Sequence, residues 1–184
     1  MEGRFRRPRC DFERRFLCTS ITILAVVLGL IVFFVAQMAE IPRYSIAIDS
    51  VSGLDPDTDL GRPTLNPEFY LTMGVASRGF IGSQCIAYGT KVEVSYRGVL
   101  LATSEPAQHL CAEARKTKVE SIHALGTGVH LPGFVRDSLA MDIRRGVQVY
   151  HVALSFPDSR EEDLVSCGGR QVGDATSIGN LCDE

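Results

Sequence analysis

The sequence predicts a mainly β fold, a β-sandwich with one short helix, preceded by a single transmembrane helix. Three observations carry this. A long uncharged apolar run lies near the N-terminus, period-two alternation recurs from Arg43 to Phe156, and one segment alone has helical four-residue spacing.

The apolar run is "RRFLCTSITILAVVLGLIVFFVAQMAEIPR". Between Arg15 and Glu40 stand 24 residues without a charge, and from Ile21 to Ala36 only Thr22 is neither apolar nor glycine. At 1.5 Å per residue, about 20 helical residues cross a hydrocarbon core of roughly 30 Å. A cleaved secretory signal has a shorter apolar region and ends in small residues. The exit "FFVAQMAE" instead crowds Phe, Val, Gln and Met into those places. A buried globular helix would carry a polar stripe, and this run has none. An uncleaved anchor is therefore expected.

Its flanks set the orientation. Arg4, Arg6, Arg7, Arg9, Arg14 and Arg15 precede the run against Glu2, Asp11 and Glu13, giving the first 16 residues net +3. Such arginine bias marks the cytoplasmic side, so the expected topology is type II. The chain then divides into a basic tail (1–16), a span (17–39), an exterior domain (40–157) and a cysteine-containing C-terminal extension (158–184). Beyond the tail, 13 Lys and Arg face 19 Asp and Glu, net −6. An acidic exterior domain of this kind excludes nucleic acid as the expected partner.

The strands follow in order. "RYSIAIDSV" places Tyr44, Ile46 and Ile48 on one face. A Gly, Pro and Asp-rich loop leads to "EFYLTMGVAS", bulky on both faces and therefore a central strand. "TKVEVSYRGVLLATSE" reads as a hairpin turning at Arg97-Gly98. "TKVESIHALGTGVHL" is extended and broken at Gly126 and Gly128. "LPGFVRDSLAMDIRRG" carries the helix, with Val135, Leu139 and Ile143 at four-residue steps and Arg144 and Arg145 before Gly146. "VQVYHVALSF" is the last well-formed strand, and the segment from Asp158 on reads as polar and loop-rich. Six or seven such strands define a sandwich.

Of six cysteines, Cys85, Cys111, Cys167 and Cys182 fall in the exterior part. Intervals of 25, 55 and 14 intervening residues do not suit zinc, whose ligands come in close pairs. Two disulfides are expected, and four cysteines allow three connectivities. The short loop through "CGGRQVGDATSIGNLC" favours Cys167 with Cys182, leaving Cys85 with Cys111. Cys18, at the cytoplasmic edge of the span, is a candidate for lipidation.

Chemical motifs are sparse. Asp55, Asp57 and Asp59 have the spacing of the first ligands of a calcium loop, but Leu60 and Asn66 stand where Gly and Glu belong. No G-x-S-x-G or H-E-x-x-H occurs, and His109, His123, His130 and His151 stand singly. Asn66 precedes Pro67, so the standard glycosylation pattern is absent. Neither catalysis nor a cofactor or metal is expected.

With a basic tail and one span, the segments "LNPEFYLTMGVASR" and "TKVEVSYRGVLLA" resemble the plant late embryogenesis abundant proteins of subgroup two. That group includes the non-race-specific disease resistance and harpin-induced-like membrane proteins. The matching positions are Asn66-Pro67, Leu71 to Ser77 and Val92 to Ala102. This chain departs in lacking a P-F-x-Q element after the hairpin and in its cysteine-containing end. The resemblance implies a fibronectin-III or immunoglobulin-like sandwich outside the plasma membrane or at plasmodesmata, in defence or stress response. It carries over no catalytic residue. Two readings follow, a membrane-anchored interaction protein or a stress-protective, lipid-contacting sandwich. The expected partners are the membrane and unidentified proteins, a second copy among them.

Overall fold

The computed structural model describes residues 10–38, 41–157 and 164–182, with helix side chains described over 19–37. The chain divides into two units, Met1–Glu40 and Ile41–Glu184.

The first unit holds α1 (Cys10–Met38). It extends further toward the N-terminus than the expected span, since residues 10–16 contain no helix breaker. Its segment Thr19–Gln37 is long and apolar enough to cross a membrane, and none of it is buried. A helix belonging to a soluble core would instead bury a stripe.

The second unit is a β-sandwich. Seven strands form one antiparallel sheet in the order β1-β2-β7-β5-β4-β8-β9, and β3-β6 form a small ribbon. They comprise β1 (Arg43–Ser52), β2 (Glu68–Ala76), β3 (Gln84–Cys85), β4 (Lys91–Tyr96), β5 (Val99–Ser104), β6 (Cys111–Ala112), β7 (Thr117–Leu125), β8 (Val149–Ser155) and β9 (Val165–Gln171).

The sheet folds over at the β5–β7 seam, where only Thr103↔Leu125 and Ser104↔Ala124 pair. Phe69 on β2 and Tyr150 on β8 show the result. Along the sheet they are four strand steps apart, about 19 Å at the usual spacing, yet their rings meet edge to face at 5.2 Å. A layer of β1, β2 and β7 thus packs on a layer of β5, β4, β8 and β9. The alternation in the sequence supplies the filling: Ile46, Ile48, Leu71, Met73, Val92, Val94, Val152 and Leu154 are all buried. The central position expected for "EFYLTMGVAS" holds within its layer, since β2 pairs with β1 and β7.

Turn chemistry sets the register. Arg97 (φ 48) and Gly98 (φ 79) form the two-residue turn between β4 and β5, the left-handed pair that a tight hairpin demands. At Gly126 a Cβ would lie 1.9 Å from the Leu101 carbonyl oxygen, so only glycine lets β7 leave the seam. α2 (Gly133–Arg145) buries Val135 and Leu139, two of the three residues its spacing marked, and partly buries the third, Ile143. It lies at the end of the sandwich where β4 finishes: Tyr96 Oη donates to Asp142 Oδ2 at 2.5 Å.

The segment after 157 differs from the loop-rich expectation. It supplies β9, paired with β8, and a 3₁₀ turn at Ala175–Gly179. Its polar, glycine-rich composition hides a strand because β9 lies at the sheet margin and buries few side chains. β3 and β6, each of two residues, were also not marked by any alternation.

Removal of the Phe69 ring should cost about 3–5 kcal/mol, measured by urea unfolding of Phe69→Ala. The Tyr150 hydroxyl is buried with no hydrogen-bond partner among the described residues, and burial pushes its pKa up. Tyr150→Phe should therefore fold with equal or greater stability, by up to about 1 kcal/mol, and a loss on the same assay would contradict this packing.

Candidate functional site

Two places in the second unit carry features beyond a generic sandwich. One is the closure made by its last residues, and the other is the end where β1 begins.

β1 is an edge strand, and residues 172–182 cover that edge. Gly173 N–H donates to the Ile48 carbonyl and Cys182 N–H to the Tyr44 carbonyl, both at 2.8 Å. Ser45 bridges to Leu181 and Ile48 to Val172. Small residues suit this covered strand, and Ser45 and Ala47 are buried beside the large ones. The covering segment is then stapled by the Cys167–Cys182 disulfide. A β-bulge prepares it. Val152 pairs with Gly168 and Ala153 with Ser166, so Cys167 is the extra residue, and Gly168 takes φ 71. The bulge turns Cys167 inward, where it is buried.

Asp174 organises the turn within this segment. Its carboxylate accepts from Thr176 Oγ1 (2.6 Å), Ser177 Oγ (2.9 Å) and Thr176 N–H (3.0 Å). These bonds, the Thr176 hydroxyl first, hold its pKa below the ordinary 3.8. Arg170 is buried beneath and donates to the Asn180 carbonyl at 2.9 Å. Ser166 to Arg170 and Gly179 to Leu181 line a cavity of about 510 Å³ here.

At the other place, Arg43 pairs with Ala76 and Ala76 with Thr117, so β1 starts where β2 ends and β7 begins. Ser77 N–H donates to the Lys116 carbonyl at 3.0 Å. The β3–β6 ribbon sits at this end, with Cys85 directly opposite Cys111 and bonded to it. Between Ser77 and the ribbon the chain "RGFIG" projects Phe80 and Ile81, 54% and 46% exposed. The Arg115 guanidinium lies over the Phe80 ring, 3.7 Å from its centre. Arg115 itself has φ 57, a conformation that costs a residue with a side chain on the order of 1 kcal/mol. Beside it Lys116 pairs with Glu113 at 2.6 Å.

The remaining motif residues are dispersed. His109 lies near Tyr88, His123 stacks on Tyr70, His130 Nδ1 is 3.0 Å from the Pro63 carbonyl, and His151 is exposed on β8. The acids of the 55–59 loop serve the chain itself. Asp55 accepts from the N–H groups of Asp57 and Thr58, which lower its pKa, and Asp57 pairs with Arg144 at 2.8 Å. Among the described residues no group of three His, Cys, Asp or Glu gathers as metal ligands would. Cys18 lies on α1, and its side chain is outside the described residues. Phe80, Ile81 and Arg115 were not marked by the sequence reading. Their signal is two bulky apolar residues between glycines, in text with no strand alternation.

Fold and site define a disulfide-stapled β-sandwich that follows an apolar helix of membrane-spanning length. No family model, no curated protein and no solved structure matches this chain.

Two outcomes test the closure. Peptide mapping without reduction should recover Cys167 joined to Cys182 and Cys85 to Cys111, and Cys167→Ser with Cys182→Ser should lower stability by roughly 3 kcal/mol. The depressed Asp174 pKa contributes stability that is complete above the unfolded value and is lost as pH falls through the lower folded value. Acidification below 3.8 should therefore loosen residues 172–182 in amide exchange. Asp174→Asn should remove that contribution from the pH dependence.

Proposed function

We propose that this chain is a single-pass, type II membrane protein of plant defence or stress response, acting by binding rather than catalysis. Its sandwich faces the exterior of the plasma membrane, with plasmodesmata as a specialised location, and its arginine-rich tail faces the cytoplasm. The observation that carries this reading is the unburied apolar segment Thr19–Gln37 ahead of a sandwich with two disulfides. Disulfides fit an oxidising compartment, and the arginine flank fits a cytoplasmic N-terminus. The defence or stress setting rests on the resemblance of "LNPEFYLTMGVASR" and "TKVEVSYRGVLLA" alone. Confinement to a membrane suits a binding protein, because tethering raises its effective concentration toward partners in the same bilayer.

Tags at both ends and protease on intact cells test the topology. The C-terminal tag should be lost and the N-terminal one survive; the reverse, or a mature chain lacking residues 1–40, would overturn the anchor. Single charges introduced within 23–34 should each cost roughly 2.5–3.5 kcal/mol of insertion and abolish function. Alanine at each of the four histidines should leave function intact. Full rescue by an anchorless domain would refute the anchored reading, and protection of unrelated membranes by that domain would favour the stress-protective one.

A further inference from the structure

We propose that the Phe80-Ile81 loop is a second membrane contact, seated at the headgroup boundary of the bilayer that the apolar helix crosses. This inference rests on the anchored reading above.

Four observations support it. The loop stands at the end of the sandwich where β1 starts, because Arg43, Ala76 and Thr117 share one register line and Ser77 is bonded to Lys116. Only residues 39–42 separate α1 from β1, and four residues reach at most about 14 Å when extended. That covalent link, whatever its conformation, keeps β1's starting end within reach of the surface of a bilayer holding the helix.

The loop also has the chemistry of an interfacial contact. Phe80 and Ile81 are adjacent, large and half exposed, and they project together from one loop. Apolar side chains flanked by cations suit the boundary between acyl chains and phosphate groups. Arg115 provides the cation and holds the ring at 3.7 Å, with Arg78 two positions before Phe80 in the chain.

Further, the loop is built to stay in place. The Cys85–Cys111 disulfide closes its base, and Arg115 keeps a left-handed conformation that glycine would adopt more easily. Such pre-organisation reduces the entropy lost when the loop binds. Beyond the basic tail the chain carries net −6, so the apolar tip and not net charge is assigned the binding.

The chain contains no tryptophan, so single-tryptophan variants each report one site. Full-length Phe33→Trp, Phe80→Trp and Phe134→Trp would be reconstituted in phosphatidylcholine vesicles with bromines placed deep or shallow in the acyl chains. Phe33→Trp reports the helix, and Phe134→Trp, 72% exposed on α2, reports the other end of the sandwich. The expected result is deep quenching at 33, shallow quenching with a blue shift at 80, and none at 134. Ile81→Asp, added to Phe80→Trp, should remove the quenching at 80, and Arg115→Ala should weaken it. Quenching at 33 without any at 80 would overturn this proposal and leave the anchor standing. No quenching at 33 would remove the anchored reading and this inference together. A blue shift at 80 that follows protein concentration without bromine quenching would assign the loop to a second copy and overturn the bilayer contact.

Discussion

The hydrogen bonds from Gly173 and Cys182 to the carbonyls of Ile48 and Tyr44 are the constraint on which the sandwich depends. A folded-over sheet of seven strands has two margins, β1 and β9. Each would otherwise present a row of backbone groups ready to pair with another chain. Here the chain leaving β9 runs along the other margin, so residues 172–182 close the edge of β1. The core benefits directly. Ile46 and Ile48 are fully buried on one face of β1, while Ser45 and Ala47 are buried on the other, a condition that a bare edge strand does not meet. The Cys167–Cys182 bond holds the covering segment to β9, and the Asp174 carboxylate shapes the turn between them.

Strands β1, β4 and β8 were legible because their large apolar residues follow a period of two. Tyr44, Ile46 and Ile48, then Val92, Val94 and Tyr96, then Tyr150, Val152 and Leu154 alternate in sequence as they do in the core. β9 was not legible, for a specific reason. Its buried residues, Cys167 and Arg170, are three apart, because the bulge at Cys167 inserts one residue into the alternation. One buried residue is a cysteine and the other an arginine, and neither reads as core filling. Arginine is rarely buried unless its charge and donors are matched, and that matching comes from the fold around it.

The site divides in the same way. Cysteine spacing was informative, since a short interval between two cysteines makes few demands on the rest of the chain. The Phe80-Ile81 projection was not, because exposure of an apolar pair is decided by the loop that carries it and by Arg115, which is distant in sequence. The aspartates at 55, 57 and 59 show the converse. Their spacing resembled a ligand set, but their oxygens accept from the loop's own N–H groups and from Arg144, so the local turn accounts for them.

The closure also fixes an order of events during synthesis. β1 is the first strand to leave the ribosome, and the residues that cover its margin, ending at Cys182, follow every other strand. Until they arrive, all seven strands of the sheet can pair while the outer edge of β1 stays open, and contacts so distant in sequence form slowly. Oxidation of Cys167 with Cys182 requires those covering residues, and until they are in place the open edge of β1 is available for misassembly between copies.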